Sequence, residues 1–184
     1  MSRRARRRPP VPSSTSGKPR RLPHAVALRG IGRGKQQFVI IASQFNRSIT
    51  RALIRGATQA LRRAGVSDHQ IDVRWVPGAF ELPIACAQAA RSHPRPQAII
   101  AVGVLLRGET PQYEVLAHAV AQGLMQVSVN ERLPVTFGVI VARTLAQAKA
   151  RAGGAMGNRG ADAALAALAV LRLLEKVKQR SLNL

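Results

Sequence analysis

Apolar residues along the chain follow two spacings, one typical of buried strands and the other of helices. Short apolar or alternating runs, each bounded by polar or turn-forming residues, cover 37–45, 71–76, 98–106 and 134–141. Segments in which apolar residues recur every three or four positions cover 46–63, 80–92, 111–129, 144–151 and 161–178. Runs of the first kind predict strands, and segments of the second kind predict helices.

The order of these elements predicts the fold class. Strands that alternate with helices and are apolar on both sides form a parallel sheet with helices on both faces. We therefore expect an α/β protein: a single-domain three-layer α/β/α sandwich with a four-stranded parallel sheet, flavodoxin-like. Ligands of such sheets bind at the carboxyl ends of the strands. Phe45, the 78–81 turn and the 107–112 turn follow the first three strands and fall at that edge.

The turn after the third strand has the features of an anion site. Arg107-Gly108-Glu109-Thr110 follows the strand, and Pro111 opens the next helical pattern. We expect Thr110 to be the N-cap and Pro111 the first helical residue. The free backbone N–H groups and the helix dipole at such a turn favour an anion, and a phosphate above all.

Two side chains at this edge each have two interpretations. Phe45 is either a core ring or an exposed platform on which a flat ring stacks. Glu81 is either a carboxylate that stabilises the start of a helix or a contact to a ligand.

Positive charge is concentrated at the N-terminus. Residues 1–35 contain eleven Lys or Arg and no acid, whereas residues 36–184 contain eighteen Lys or Arg and eight acids. A segment this rich in Arg, Pro and Ser cannot build a core, so we expect a disordered basic tail over 1–35 and a folded domain over 36–184. The tail lacks the apolar region of a secretory signal. Its composition leaves an organellar transit peptide open, although its prolines disfavour the amphipathic helix of such peptides.

The sequence argues against a membrane span, a disulfide and a metal site. No apolar stretch reaches the roughly 20 residues that a membrane helix needs. Cys86 is the single cysteine and is expected to be an inert core residue. The four histidines lack the spacing of metal ligands, so we expect no metal and no cofactor.

Five groups of residues, in this order and at this spacing, resemble the 6,7-dimethyl-8-ribityllumazine synthase family. The resemblance extends from residue 37 to about residue 177. The groups are Phe45-Asn46 with Ile49-Thr50, residues 76–83, Gly103 with residues 107–110, residues 134–139, and residues 151–153 with 157–160.

The resemblance implies a transferase that makes 6,7-dimethyl-8-ribityllumazine in the penultimate step of riboflavin biosynthesis. Its two substrates would be 5-amino-6-(ribitylamino)uracil and 3,4-dihydroxy-2-butanone 4-phosphate. Phe45 would stack on the pyrimidine, and Glu81 would bind ribityl hydroxyls. The other residues implied to bind substrate are Ala79, Phe80, Val104, Leu105, Leu106, Glu109, Thr110, Phe137, Arg151 and Arg159. Of these, Glu109 and Thr110 would offer N–H groups to the phosphate. Phe137, Arg151 and Arg159 would come from a neighbouring subunit, with Arg151 as the cationic partner of the phosphate.

Gln112 departs from the family pattern, which has a histidine at this position that is thought to move protons. Glutamine cannot change its protonation state. General acid–base help is typically worth 10²–10⁴-fold, so its loss slows a reaction that proximity also accelerates. We therefore expect an active enzyme in which Arg151 contributes to catalysis and the role of Gln112 is open.

The resemblance also implies an assembly. We expect a homopentamer, with a shell of sixty chains favoured by the short turn over 151–160, and riboflavin synthase as a candidate partner in the cytoplasm. Two other functions stay open: a catalytically weak or silent shell-forming homologue, and a basic nucleic-acid-binding protein. In the enzyme, nucleic acid would bind only non-specifically through the tail.

Overall fold

A computed structural model of the chain describes residues 38–182. The strands of the main sheet are β1 (Phe38–Ser43), β2 (Ile71–Val76), β3 (Ala98–Leu106) and β4 (Val135–Ala142). The helices are α1 (Arg47–Arg63), α2 (Leu82–Ala90), α3 (Gln112–Asn130), α4 (Leu145–Ala150) and α5 (Arg159–Leu182). A small hairpin, β5 (Ala152–Gly154) and β6 (Gly157–Asn158), lies between α4 and α5. The predicted tail over 1–35 lies outside the described residues.

The four long strands form one parallel sheet in the order β2-β1-β3-β4. Phe38 pairs with Ile71 on one side and with Ala98 on the other, so β1 is central. The prediction of an α/β fold with a four-stranded parallel sheet is confirmed. All four strands point the same way, so their carboxyl ends lie at one edge of the sheet.

Alternate residues of the central strands feed two cores, one on each face of the sheet. Ile40 and Ile100 pack on one face against helices α1 and α5. Ile41 and Ala101 pack on the other face against helices α2 and α3. This alternation follows from the two-residue period of a strand and explains why β1, apart from Ser43, and β3 lack polar side chains.

A short side-chain contact joins the first and last helices. Asn158 Nδ2 donates to the Ala52 carbonyl oxygen at 2.9 Å, and Asn158 Oδ1 accepts from the N–H groups of Gly160 and Ala161 at 2.9 and 3.1 Å. A Cβ added at Gly56 would overlap the Asn158 side chain. Glycine at 56 is therefore required by the close approach of the 158–160 turn to α1.

Two local predictions were wrong. Pro111, not Thr110, is the N-cap of α3 (φ −73°, ψ 7°), and no side chain caps this helix. The 153–157 segment was expected only to break a helix, but it forms the β5–β6 turn. Helix α5 begins at Arg159, two residues earlier than expected, because Asn158 caps it. Thr144 does cap α4, since its Oγ1 accepts from Gln147 N at 3.2 Å.

Among residues 38–182, no helix is both long and apolar enough to cross a membrane.

Candidate active site

The loops at the carboxyl ends of the four strands bring most of the predicted residues to one edge. Phe45 follows β1, Phe80 and Glu81 follow β2, the 107–111 turn follows β3, and Arg143 follows β4. Neighbouring parallel strands lie about 4.8 Å apart, so these loops form one continuous surface.

Phe45 is exposed and is not a core residue. Its ring is 73% exposed. The next residue, Asn46, has a left-handed backbone (φ 54°), and Thr50 Oγ1 donates to the Phe45 carbonyl oxygen at 3.4 Å. The turn and the buried threonine fix the backbone here, which leaves the ring face free for a flat ligand.

Glu81 closes the turn after β2. Its Oε2 accepts a hydrogen bond from the Gly78 N–H at 2.7 Å. One carboxylate oxygen therefore has a structural role, while Oε1 makes no hydrogen bond within residues 38–182. Ala79 is buried beneath the turn, and Phe80, 62% exposed, lies beside Glu81 on the surface.

Strand β3 extends beyond its pairing with β1. The pairing with β1 ends at Ala42 and Val102, whereas the pairing with β4 continues to Leu106 and Ala142. Backbone groups of residues 104–106 that point to the β1 side therefore have no partner strand in the described chain. Gly103 is required at this position because an added Cβ would lie 2.6 Å from the buried Ser43 Oγ.

The turn after β3 lines a cavity of about 320 Å³. The backbone N–H groups of Glu109 and Thr110 donate no hydrogen bond within residues 38–182. The other lining residues are Arg107, Pro111, Tyr113, Glu114 and Arg143. Free N–H groups next to two guanidinium groups suit an anion.

An adjoining cavity of about 390 Å³ shares Tyr113, Glu114 and Arg143 with the first. Arg151 and Gln147 also line it. The Tyr113 hydroxyl donates to Glu114 Oε1 at 2.6 Å. This hydrogen bond raises the pKa of Tyr113, and the nearby Arg107 and Arg143 oppose the shift. Tyr113 is therefore a neutral donor at physiological pH.

Arg151 and Arg159 are joined through the backbone, since Arg159 N–H donates to the Arg151 carbonyl oxygen at 2.9 Å. The half-buried Arg151 faces the second cavity, whereas the Arg159 guanidinium lies 3.5 Å from Asp162 on the surface. Phe137 is not brought to the carboxyl edge of its own chain. It lies five residues before the end of β4, about 16 Å away at the usual strand rise, and is 42% exposed.

Gln112 lies at the start of α3 with its side chain exposed, and it lines neither cavity. Three residues that do line both cavities, Tyr113, Glu114 and Arg143, were not among the predicted site residues. Arg143 had a recognisable signal because it comes two residues after a predicted strand.

No group of three or more His, Cys, Asp or Glu side chains that could hold a metal occurs in the described part of the chain.

Residues 35–175 match the family model described as 6,7-dimethyl-8-ribityllumazine synthase. This match covers well over half of the chain, including every loop at the carboxyl edge. The chain belongs to the 6,7-dimethyl-8-ribityllumazine synthase family. This match confirms the resemblance noted in the sequence. Lumazine synthases are transferases of riboflavin biosynthesis.

Lumazine synthases from individual organisms are similar to this chain over most of their length. The one from Gemmatimonas aurantiaca is 49% identical over 148 residues, which are 80% of this chain and 88% of the relative. The Thermus thermophilus protein is 37% identical over 88% of this chain and 99% of its own length. The Coxiella burnetii protein is 40% identical over 77% of this chain and 93% of its own length. Among solved structures, a de novo designed Rossmann fold protein matches with a TM-score of 0.33 at 13% identity, covering 62% of this chain and 91% of the design.

Proposed function

We propose that the protein condenses 5-amino-6-(ribitylamino)uracil with 3,4-dihydroxy-2-butanone 4-phosphate to give 6,7-dimethyl-8-ribityllumazine, phosphate and water. One observation carries this proposal beyond family membership. A flat-ring platform, unpaired strand backbone and a phosphate-type turn all lie along one edge of the sheet, in the order that two such substrates require.

The pyrimidine half of the site is Phe45 with the end of β3. The exposed Phe45 ring offers a face for stacking. The backbone groups of 104–106 offer donors and acceptors in the fixed spacing of a strand, which suits the carbonyl and N–H edge of a pyrimidine. Glu81, with Oε1 free, binds ribityl hydroxyls beside Ala79 and Phe80.

The phosphate half of the site is the 107–110 turn. The N–H groups of Glu109 and Thr110 bind the phosphate of the second substrate, and Arg151 of a neighbouring subunit supplies a bidentate cation. Binding both substrates at fixed positions holds the amine of one against the ketone of the other. Such proximity supplies up to about 7–11 kcal/mol of the barrier reduction.

We further propose that the working unit is a homopentamer. Phe137 is too far from the carboxyl edge of its own chain to join that site, so its ring is available to a neighbour. The surfaces of α2 and α3 also carry exposed apolar side chains, at Ile84, Val115, Met125 and Val129. Apolar surface of this kind is typical of subunit interfaces. The short 151–160 turn favours twelve pentamers packed as a shell of sixty chains, with riboflavin synthase as a candidate partner in the cytoplasm.

The direct test is a product assay. Purified protein incubated with both substrates in a chelator-containing buffer, without added cofactor, is expected to form lumazine, followed by its absorbance and fluorescence. Each substrate alone is the control. Absence of product with both substrates saturating would leave the silent-homologue alternative in place. The family match argues against a protein whose main function is to bind nucleic acid.

A further inference from the structure

The first turn of α3 contains an ionisable pair that directly follows Gln112. Gln112 cannot accept or release a proton, and it lies outside both cavities. Tyr113 and Glu114 line both of them. The proton-transfer chemistry that residue 112 lacks is therefore present one and two residues further along the same turn.

The pair has a defined geometry. Tyr113 is 9% exposed, and its hydroxyl donates to Glu114 Oε1 at 2.6 Å. Glu114 Oε2 makes no hydrogen bond within residues 38–182, so one carboxylate oxygen is held while the other is free. A carboxylate fixed in this way can accept a proton through its free oxygen.

Charged groups from several elements face this pair. Arg107 at the end of β3 and Arg143 at the end of β4 lie close enough to act on the Tyr113 hydroxyl. Glu109 in the turn lines the first cavity, and Arg151 after α4 lines the second. His118 is one helical turn beyond Glu114 on α3 and makes no hydrogen bond to it. The positive charges of the arginines offset the repulsion between the Glu114 carboxylate and a phosphate bound nearby.

We propose that Glu114 is the base that removes a proton during expulsion of phosphate, and that Tyr113 is a positioning residue that holds its carboxylate. This inference rests on the proposed function.

The proton in question lies close to the phosphate. After the amine has condensed with the ketone to form an imine and water, one C–H carbon separates the imine carbon from the CH₂ that carries the phosphate ester. A phosphate held by the N–H groups of 109 and 110 brings that C–H into the cavity lined by Glu114.

The step balances as an elimination. Glu114 Oε2 takes the proton, and the C–H electron pair forms a carbon–carbon double bond. The C–O bond to the phosphate breaks, and its electron pair leaves on the phosphate oxygen. The remaining enol becomes a ketone when the protonated Glu114 gives its proton to the CH₂ carbon and the enol O–H gives its proton to the departing phosphate, which restores the Glu114 carboxylate.

The decisive experiment compares Glu114→Gln in two backgrounds. In the native chain, Glu114→Gln is expected to lower kcat by about 10²-fold or more, the typical value of general base help. Glutamine still accepts the Tyr113 hydrogen bond, so circular dichroism and particle size should not change. In a Gln112→His background, the same substitution should lower kcat by less than about threefold, because a histidine between the cavity-lining Pro111 and Tyr113 provides an alternative base.

Three readouts separate a base from a merely structural carboxylate. The KM for the butanone phosphate should stay unchanged or fall, since a negative charge near the phosphate is removed. The decline of kcat at acidic pH should disappear in Glu114→Gln. Tyr113→Phe should lower kcat about tenfold and keep the acidic limb, as expected from loss of one hydrogen bond to a charged group.

Glu175→Gln, an exposed substitution on α5 outside the site, is the matched control and should behave like the native chain. An active native protein whose Glu114→Gln variant keeps its kcat within threefold would overturn this inference alone. An equal loss in both the native and the Gln112→His backgrounds would overturn it as well. A native protein without product would instead overturn the proposed function, and this inference with it.

Discussion

At the scale of single residues, Cys86 illustrates how burial controls reactivity. Its side chain is fully buried between α2 and the sheet, and burial raises the pKa of the thiol to about 12. The reactive thiolate is therefore present at only about one part in 10⁴ at pH 8. We expect no labelling of the native protein by a disulfide reagent at pH 8, and one thiol per chain after denaturation. Rapid labelling of native protein would show that α2 opens easily.

The same shift makes stability depend on alkaline pH. Unfolding returns the thiol to its ordinary pKa of 9.0. Because the folded-state pKa is raised, the contribution of this thiol to the free energy of unfolding is fully present below pH 9 and is lost as pH rises toward 12. The expected slope is up to about 1.4 kcal/mol per pH unit. Urea unfolding between pH 8 and pH 10.5 measures it, and Cys86→Ala should flatten that slope. The raised pKa of Tyr113 acts in the same direction.

Arg151 should act on one substrate more than on the other. Loss of a charge-assisted hydrogen bond to phosphate is worth about 1.5–3 kcal/mol. We expect Arg151→Ala to raise the KM for the butanone phosphate by about 10- to 150-fold, with a much smaller effect on the pyrimidine. Steady-state kinetics with each substrate varied in turn measures the difference, and Arg180→Ala at the end of α5 is a surface control. Equal weakening of both substrates would indicate a damaged subunit interface instead.

Residues at strand ends could be predicted from the sequence, whereas residues that depend on helix rotation could not. Phe45 and Glu81 lie within a few residues of the ends of β1 and β2, and the structure places both at the carboxyl edge. Which of Gln112, Tyr113 and Glu114 faces the cavity depends on where α3 begins. The wrong N-cap assignment at Thr110 left that orientation undetermined.

At the scale of elements, Asn158 joins two helices through one side chain. It caps α5 and donates to the Ala52 carbonyl oxygen in α1. A cap is worth about 0.5–2 kcal/mol, and a further hydrogen bond adds about 1 kcal/mol. We expect Asn158→Ala to lower the free energy of unfolding by about 1.5–3 kcal/mol, measured by urea denaturation. Asn130→Ala, exposed at the end of α3, should change it by less than about 0.5 kcal/mol. An unchanged free energy of unfolding in Asn158→Ala would mean that water replaces all three hydrogen bonds.

Element boundaries followed the strength of the local signal. The bounds of β2 and β3 were predicted correctly because turn-forming residues bound both strands. The β5–β6 hairpin was missed because its segments, Ala152–Gly154 and Gly157–Asn158, contain no apolar alternation. Its structure comes from glycines with positive φ at 153 and 157 and from contacts with α1. Those contacts are not visible in a local sequence pattern.

At the scale of the whole molecule, the strand–helix alternation was enough to predict the parallel sheet and its two covered faces. The strand order was not predicted from the sequence, because it depends on how the helical connections pack against the sheet. The pattern of exposed apolar residues on α2 and α3 also appears only once the inward faces are known. Ile84, Val115, Met125 and Val129 look like core positions in the sequence, yet they lie on the surface of the single chain.

These exposed apolar residues indicate a subunit interface, so the size of the assembled particle is a test of it. Five chains of 19.8 kDa form a particle of about 100 kDa, and sixty form one of about 1.2 MDa. We expect light scattering to give the larger particle. We also expect Met125→Glu with Val129→Glu to reduce particle size if α3 lies in an interface. The paired substitutions Gln122→Glu and Gln126→Glu add the same charge to the same helix and serve as control. A stable native monomer that makes lumazine would contradict the shared site.

The contact between Asn158 and Ala52 joins segments that are far apart in the chain, so during synthesis it can form only after residue 158 has been added. A ribosome adds about 5–20 residues per second, so α1 is made some 5–20 s before the segment that anchors it. During that interval the apolar side of α1 and one face of the central strands lack their packing partner, because α5 has not yet been translated. This apolar surface therefore stays exposed in the nascent chain until α5 has been made. A message truncated before codon 158 yields a chain whose first helix has no partner, and such a chain is expected to be degraded.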